Sequence, residues 1–204
     1  MIDSEPLWYL VERDFAAARG GAWTIDLAHA CVGRGIPNTL HTMSATFGFP
    51  VEVTRDTAVI LASFLERLGE LRLKPGCLEL LDAAAGLPTA VASSSPLRLI
   101  HAVLDRFALT ARFSAIVSGE AVASPKPAPD IFLHTAATLG VAPDRCAVCE
   151  DSLAGATAGR AAGMFVIAVP EGSAAGRGFE AVADRIVPDL FAARASLALP
   201  ERAT

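Results

Sequence analysis

The sequence predicts an α/β protein: a parallel sheet flanked by helices, with an all-helical region ahead of it. From residue 75 onward, short apolar runs alternate strictly with helix-like stretches, and this alternation implies a parallel sheet with right-handed crossovers. Residues 7–73 show helical periodicity without a β-branched run of strand length. Between the two regions, Lys74-Pro75-Gly76 marks a boundary.

The amino-terminal region is expected to be a bundle of short helices. Its periodicity is interrupted at Gly20-Gly21, at Gly33-Arg34-Gly35 and at Gly48-Phe49-Pro50. Glycine and proline are the residues that most often end a helix or form the turn after it. The region therefore reads as an all-helical insertion, not as part of the sheet.

The carboxyl-terminal region can be divided element by element. Helices are predicted at 77–85, 97–107, 130–139 and 154–162 and from Leu190, and strands at 89–92, 115–117, 146–149, 165–169 and 185–187. The small residues of 171–178 predict a surface loop.

Composition excludes several classes of function. With 52% hydrophobic and 19% charged residues, the chain can bury a large core. Its net charge of −5 argues against a nucleic-acid partner. No apolar stretch approaches the roughly 20 residues that span a bilayer, and the amino terminus lacks a signal-peptide pattern. We expect a cytoplasmic protein that is a monomer or weak dimer.

The four cysteines are expected to be small core residues. A chain of 204 residues with Cys31, Cys77, Cys146 and Cys149 does not show a disulfide framework. Cys146-x-x-Cys149 could suggest redox chemistry or zinc, but no second cysteine or histidine pair follows at metal spacing. Side chains three apart on a strand also point to opposite faces.

Polar residues follow three of the predicted strands: Ser93, then Lys126 in Ser124-Pro125-Lys126-Pro127, then Glu150-Asp151. Ligands of open α/β sheets bind beyond the carboxyl ends of the strands. A hydroxyl, an ammonium and two carboxylates suit a phosphoryl group with a divalent cation. Taken singly, each is better explained as a helix cap, a solvated lysine or acidic residues at a helix start. Their joint occurrence, in order, favours a site.

These residues resemble the haloacid dehalogenase-like hydrolases, in the group with a helical cap inserted after the first strand. Within that family the chain looks closest to sugar-phosphate phosphatases of the 2-deoxyglucose-6-phosphatase or hexitol-phosphatase kind. The second motif is matched by Val91-Ala92-Ser93-Ser94-Ser95-Pro96 and the third by Ser124-Pro125-Lys126-Pro127-Ala128-Pro129-Asp130. The fourth is matched by Glu150-Asp151-Ser152 with Gly155 and Ala161-Ala162-Gly163-Met164.

The resemblance implies a fold and a domain organisation. Residues 1–6 would be the end of the first motif, 7–74 the helical cap and 75–204 a Rossmann-like core. It also implies Mg²⁺-dependent transfer through an aspartyl-phosphate, acting on a small phosphorylated metabolite, with no role for a membrane.

The resemblance also assigns roles to single residues. Asp151 would be a direct Mg²⁺ ligand and Glu150 a second or alternate one. Lys126 would offset negative charge, Ser93 would donate to a phosphoryl oxygen and Ser94 would bind substrate. Arg34 is a further candidate for substrate binding, because an arginine on a turn flanked by glycines can reach a phosphate or sugar oxygen. For Arg34, a plain helix-ending turn with a solvated side chain is the alternative.

One motif of the family lies outside the match. The resemblance implies that its Asp-x-Asp-Gly, which carries the nucleophile and the general acid, would directly precede this sequence, with Met1 on the motif's last apolar residue. The first core strand, a central strand of the sheet that leads to this motif, is then expected to be absent from residues 1–204. Residues 1–204 contain no Asp-x-Asp-Gly. Asp3 is expected to cap the first cap helix instead of acting as nucleophile. We therefore expect little phosphatase activity, and a less stable sheet, from these 204 residues alone.

The sequence alone is compatible with three functions. The first is a sugar-phosphate phosphatase. The second is a β-phosphoglucomutase-like isomerase that uses the same motifs, and the third is a catalytically silent protein that binds phosphometabolites or a partner.

Overall fold

The protein structure, a computed structural model, describes residues 1–170 and 178–197. The first part contains β1 (Ile2–Asp3), α1 (Glu5–Ala17), α2 (Ile25–Cys31), α3 (Ile36–Phe47), α4 (Val53–Glu66) and β2 (Arg72–Leu73). The second contains α5 (Cys77–Ala83), β3 (Ala90–Ser93), α6 (Leu97–Arg106), β4 (Ala115–Ser118), α7 (Asp130–Leu139), β5 (Ala147–Glu150), α8 (Leu153–Ala161), β6 (Phe165–Ala168), β7 (Arg185–Ile186) and α9 (Leu190–Ser196). The predicted alternation is confirmed. The surface loop predicted at 171–178 lies, apart from Gly178, outside the described residues.

The helical segment, residues 5–66, is held together by an apolar core to which Leu99 and Val103 of α6 also contribute. Along α1, Leu7, Val11 and Phe15 recur at helical spacing and are buried against the other helices. The start of α4 is capped by the Glu52 carboxylate, which accepts hydrogen bonds from the amides of Thr54 and Arg55. No helix in the described ranges is long and apolar enough to cross a membrane.

Two short strands connect the helical segment to the rest of the chain. β1 and β2 pair antiparallel, with Ile2 opposite Leu73 and Asp3 opposite Arg72. Our prediction that Asp3 caps the first helix is wrong, because Asp3 lies within β1 and Ser4 holds the N-cap position of α1. The pairing of β1 with β2 holds Asp3 in an extended conformation, one residue before the N-cap position of α1.

The strands pair in parallel, as predicted, but in two separate sheets. β3 pairs with β4 in one sheet, and β5, β6 and β7 form the other in that order. Within the described residues no strand lies between β3 and β5. The fold class is confirmed, and the sheet is divided at this point.

Both sheets share the same helix layers. On one face, residues of α5, α6 and α9 form a single apolar cluster with Val91 of β3 and Ile167 of β6. On the other face, α7 and α8 pack on Val117 of β4 and Val148 of β5. The two sheets therefore lie side by side in one three-layer α/β core.

β5 is open on the side that faces β3. The amides of Phe165 and Val169 bond to the carbonyls of Cys146 and Glu150, so in a parallel ladder the intervening Ala147 and Cys149 point their backbone groups away from β6. Both residues are exposed. Our prediction that all four cysteines are core residues is therefore wrong for Cys149, whereas Cys31 and Cys77 are buried.

Candidate active site

The strand-end residues predicted from sequence meet in one cavity of about 860 Å³. Its wall on the sheet side is formed by Ser93, Ser94, Lys126, Glu150 and Asp151. They come together because β3 and β5 run in the same direction and end at the same edge of the core. The opposite wall comes from the helical segment.

Lys126 is the buried centre of this group. Its side chain is 5% exposed, and its ammonium contacts Glu150 Oε1 and donates to the Ala92 carbonyl at 3.2 Å. It also lies 4.7 Å from the centre of the Phe132 ring. The ammonium thus bridges the carboxyl end of β3 to that of β5. An ammonium has three donors, so this arrangement leaves capacity for an anionic ligand.

Asp151 is held ionised by a lysine that the sequence analysis missed. Burial opposes its charge, but Lys74, whose Nζ lies 2.7 Å from Asp151 Oδ2, the nearby amino group of Met1 and Lys126 together hold its pKa below the usual value. From the sequence, Lys74 marked only a domain boundary. It reaches Asp151 because β2 returns alongside β1, a long-range pairing that local pattern does not reveal.

The two serines occupy different positions. Ser93 Oγ accepts the amide of Ser95 at 3.2 Å and remains on the cavity wall. Ser94 Oγ donates to the Gly33 carbonyl at 2.8 Å, so it joins the core to the helical segment. Arg34 is exposed and does not line the cavity, although Gly33 and Gly35 on either side do. The substrate-binding roles of Ser94 and Arg34 stay predictions.

The turn before α3 approaches the core closely because it contains glycine. A Cβ on Gly33 would lie 2.5 Å from Ser152 Oγ, and one on Gly35 would lie 3.3 Å from the Ser94 carbonyl oxygen. Gly33 also has a φ of +79°, a backbone conformation that favours glycine. The helical segment can thus close over the carboxyl ends of the strands at this turn.

Replacing Gly33 by alanine is expected to push the helical segment away from the core. Small-angle X-ray scattering should show a larger radius of gyration for this variant. Gly20→Ala is the matched control, because Gly20 has a φ of +78° but nothing within 4 Å of the added Cβ. Both variants carry the same backbone strain, so equal scattering curves for the two would contradict the contact.

The helical wall of the cavity contains a buried polar cluster. Glu12 is 8% exposed and accepts a hydrogen bond from Trp23 Nε1 at 3.0 Å. Burial raises the pKa of Glu12 to about 7, although hydrogen bonds with Trp23 and Thr39 lower it in part. Sequence reasoning missed this cluster because an acidic residue in an amphipathic helix is usually solvated.

The carboxylates present would suit Mg²⁺ as part of its shell. Mg²⁺ prefers oxygen ligands and is commonly held by one or two carboxylates together with water and substrate phosphate. Asp151 offers such a carboxylate: its Oδ2 is paired with Lys74, but its side chain is 37% exposed. The Glu150 side chain is only 11% exposed, contacts Lys126 and accepts from Ser152 Oγ at 3.1 Å. In the described ranges no three His, Cys, Asp or Glu side chains gather as a metal site. Asp151 is therefore the better ligand of the two, and substrate and water would complete the shell.

The chain is similar to known phosphatases and related proteins. CbbY of Rhodobacter capsulatus is 40% identical over 138 residues, which cover 65% of this chain and 60% of CbbY. Hexitol phosphatase B of Escherichia coli is 33% identical over 189 residues, 83% of this chain and 79% of that protein. The chain thus spans less than two thirds of the length of CbbY and about four fifths of the hexitol phosphatase.

A solved structure has the same architecture. A mutant of CbbY from Rhodobacter sphaeroides, in complex with xylulose-(1,5)bisphosphate, superposes with a TM-score of 0.85 at 26% identity, over 93% of this chain and 90% of that one. The family model described as haloacid dehalogenase-like hydrolase matches residues 7–163. This match covers the helical segment, the second and third motifs and the carboxylate pair. The chain therefore belongs to the haloacid dehalogenase-like hydrolase family.

Proposed function

We propose that this protein serves as a Mg²⁺-dependent phosphatase of small sugar phosphates. One observation supports this proposal. Lys126, Glu150 and Asp151 meet at the carboxyl ends of the strands, in one cavity that the helical segment covers. A buried ammonium beside a carboxylate pair suits a phosphoryl group that is bound together with a cation.

Each residue would act on the phosphoryl group in a distinct way. Lys126 stabilises negative charge on the phosphoryl oxygens, and its burial strengthens this interaction because water is excluded. The Ser93 hydroxyl can donate to one of these oxygens from the end of β3. Asp151, and secondarily Glu150, would hold Mg²⁺, which supplies further charge neutralisation when bound. Lys74 positions the Asp151 carboxylate.

The helical segment would serve as the cap over this site. Its glycine turn meets Ser94 and Ser152 at the mouth of the cavity, so closure removes water from around the phosphoryl group. The part of the substrate away from the phosphate would face Trp8, Glu12 and Thr39, which line the cavity from the cap side. These side chains combine apolar area with hydrogen-bonding groups, as a sugar requires.

The relatives support this class of substrate. Hexitol phosphatase B is a phosphatase by name, and the R. sphaeroides CbbY structure holds a sugar bisphosphate.

Phosphate release from a panel of hexose, hexitol and pentulose phosphates would test the proposal. Residues 1–204 alone should hydrolyse them at background rates, since the Asp-x-Asp-Gly nucleophile of the family does not occur among them. The same chain preceded by an apolar strand and Asp-x-Asp-Gly should hydrolyse at least one member of the panel in the presence of Mg²⁺. Loss of an activated nucleophile commonly lowers turnover by roughly 10⁴–10⁶-fold.

The control is the extended chain with the first aspartate of the added motif changed to asparagine, which should be inactive. Accumulation of an isomerised sugar phosphate without free phosphate would indicate a mutase instead. Binding of sugar phosphates without turnover by the extended chain would indicate a silent binding protein. Metal-independent turnover at full rate would contradict the role given to Asp151.

A further inference from the structure

The turn that follows β4 is hydrogen-bonded to the turn that follows β3. The two strands are paired with Ser93 opposite Ser118, so both chains leave the sheet together at its carboxyl edge. Ser118 Oγ donates a hydrogen bond to the Ser95 carbonyl oxygen at 2.7 Å, and Glu120 Oε2 accepts the Leu97 amide at 2.8 Å. The turn after β3 is therefore held at two points along its backbone.

The residues that make these contacts are connected to one another. Ser118 is 3% exposed, and the same hydroxyl oxygen that donates to Ser95 accepts the Glu120 amide at 3.1 Å. Gly119 between them lies close to the turn after β3, since a Cβ on Gly119 would be 3.2 Å from Ser94 Cα. Ser118, Gly119 and Glu120 thus form one unit, which we call the clasp.

The clasp lies behind the candidate site and outside it. Ser93, Ser94 and Ser95 line the cavity, whereas Ser118 and Glu120 do not. The buried Ser118 hydroxyl and the Glu120 carboxylate have no part in the chemistry described above. Any effect of the clasp on a bound ligand must therefore pass through the turn that it holds.

Ser95 is the link between the clasp and the ligand side of the cavity. Its amide donates to Ser93 Oγ at 3.2 Å, while its carbonyl oxygen is held by Ser118. A serine hydroxyl has one proton and two lone pairs. Because one lone pair of Ser93 Oγ receives the Ser95 amide, the hydroxyl proton of Ser93 is left to be donated in another direction. Fixing Ser95 therefore orients Ser93 as a donor.

We propose that Ser118 and Glu120 are positioning residues, which hold the turn after β3 so that Ser93 presents its hydroxyl proton to a phosphoryl oxygen. This inference rests on the phosphatase function proposed above. Donors stabilise a transition state most when they are fixed before the reaction begins, and Ser118 fixes the neighbour of this donor. Glu120 adds a second attachment by accepting the Leu97 amide, one of the amides at the start of α6 that no turn of the helix can satisfy.

Hydrogen exchange followed by NMR tests the contacts, in the chain extended by Asp-x-Asp-Gly and without substrate. Ser118→Ala should speed exchange of the Ser95 amide, and Glu120→Ala that of the Leu97 amide, by about tenfold. Glu120→Gln should exchange like the unsubstituted chain, because its side-chain carbonyl can still accept the Leu97 amide. Unchanged exchange at both amides in the two alanine variants would overturn the clasp.

A double-mutant cycle with Ser93 tests the effect on turnover. On a substrate that the extended chain hydrolyses, Ser93→Ala and Ser118→Ala should each lower kcat by about tenfold and change KM by less than about threefold. The double variant should lose no more than Ser93→Ala alone, because Ser118 acts through Ser93. Losses that multiply in the double variant would indicate general destabilisation and would overturn the proposal.

Glu120 provides an independent test with its own control. Glu120→Ala should lower kcat, and the conservative Glu120→Gln should restore it. Glu52→Ala is the matched control, since the Glu52 carboxylate also accepts an amide at the start of a helix, at 2.6 Å from Arg55 N, but outside the cavity lining. Its kcat should equal that of the unsubstituted chain. Equal losses in Glu120→Ala and Glu120→Gln would contradict the role of the amide contact.

The proposed function and the clasp fail in different ways. If the extended chain hydrolyses no sugar phosphate of the panel, the phosphatase function is wrong and the positioning role falls with it. If the extended chain is active and Ser118→Ala and Glu120→Ala keep its kcat and KM, the phosphatase function stands and the clasp alone is overturned.

Discussion

Replacing Lys126 by methionine, or Asp151 by asparagine, in the chain extended by Asp-x-Asp-Gly is expected to lower phosphatase turnover by roughly 10²–10³-fold each. Lys126 is 6% exposed and directly faces the site, so methionine retains its volume but removes the charge that would stabilise the phosphoryl oxygens. Asparagine at position 151 keeps the shape of aspartate, but its neutral amide binds a hard cation such as Mg²⁺ more weakly than a carboxylate does. Initial rates of phosphate release, at the Mg²⁺ concentration that just saturates the unsubstituted extended chain, give the measurement.

Cys146→Ser is the control for this pair. Cys146 precedes β5 and its thiol contacts the Ala142 carbonyl at 3.4 Å, outside the cavity lining. Its substitution should alter stability and leave turnover within a few-fold. Equal loss of turnover in a well-folded Cys146→Ser protein would show that the site has been placed wrongly. Raising the Mg²⁺ concentration should partly restore Asp151→Asn but not Lys126→Met.

Replacing Glu12 by glutamine is expected to stabilise the protein at pH 8 and to have little effect at pH 5. The folded-state pKa of Glu12 is about 7, above the ordinary value of 4.5. A carboxyl raised in this way contributes stability below pH 4.5, and that stability is lost as the pH rises through 7. The difference between the folded-state pKa of about 7 and the ordinary value of 4.5 corresponds to about 3 kcal/mol of unfolding free energy.

Glutamine stays neutral at both pH values, and its carbonyl oxygen can still accept the Trp23 hydrogen bond. Urea unfolding followed by tryptophan fluorescence measures the effect, since both tryptophans, Trp8 and Trp23, lie in or beside the helices of this segment. Glu70→Gln is the control, because its ion pair with Arg67 lowers the pKa of Glu70 and the residue is exposed. The same change in stability at pH 5 and pH 8 for Glu12→Gln would contradict a buried, protonated Glu12.

Sequence pattern predicted the elements better than their lateral pairing. The order of helices and strands follows from periodicity, and α7 begins and ends at the predicted residues. The division of the sheet between β3 and β5 could not be predicted in this way, because local alternation is the same whether neighbouring strands touch or not. The exposure of Cys149 follows from that division, whereas we had predicted a core position for this residue.

The candidate site shows the same limit. Ser93, Lys126, Glu150 and Asp151 follow strand ends in sequence, so the shared edge of a parallel sheet predicts that they meet. Lys74 and Glu12 carry no such local signal. The position of Lys74 depends on the pairing of β1 with β2, and the burial of Glu12 depends on its packing against Trp23.

The pairing of β1 with β2 also has a consequence for engineering this member of the family. Because Ile2 lies opposite Leu73 and Asp3 opposite Arg72, the chain leaves and re-enters the core at adjacent points. The two attachment points of the 5–66 helices therefore lie side by side, while Leu99 and Val103 of α6 complete the apolar core of this segment. A different helical insert grafted between these strands would keep the same attachment points and would need apolar side chains to cover Leu99 and Val103 of α6.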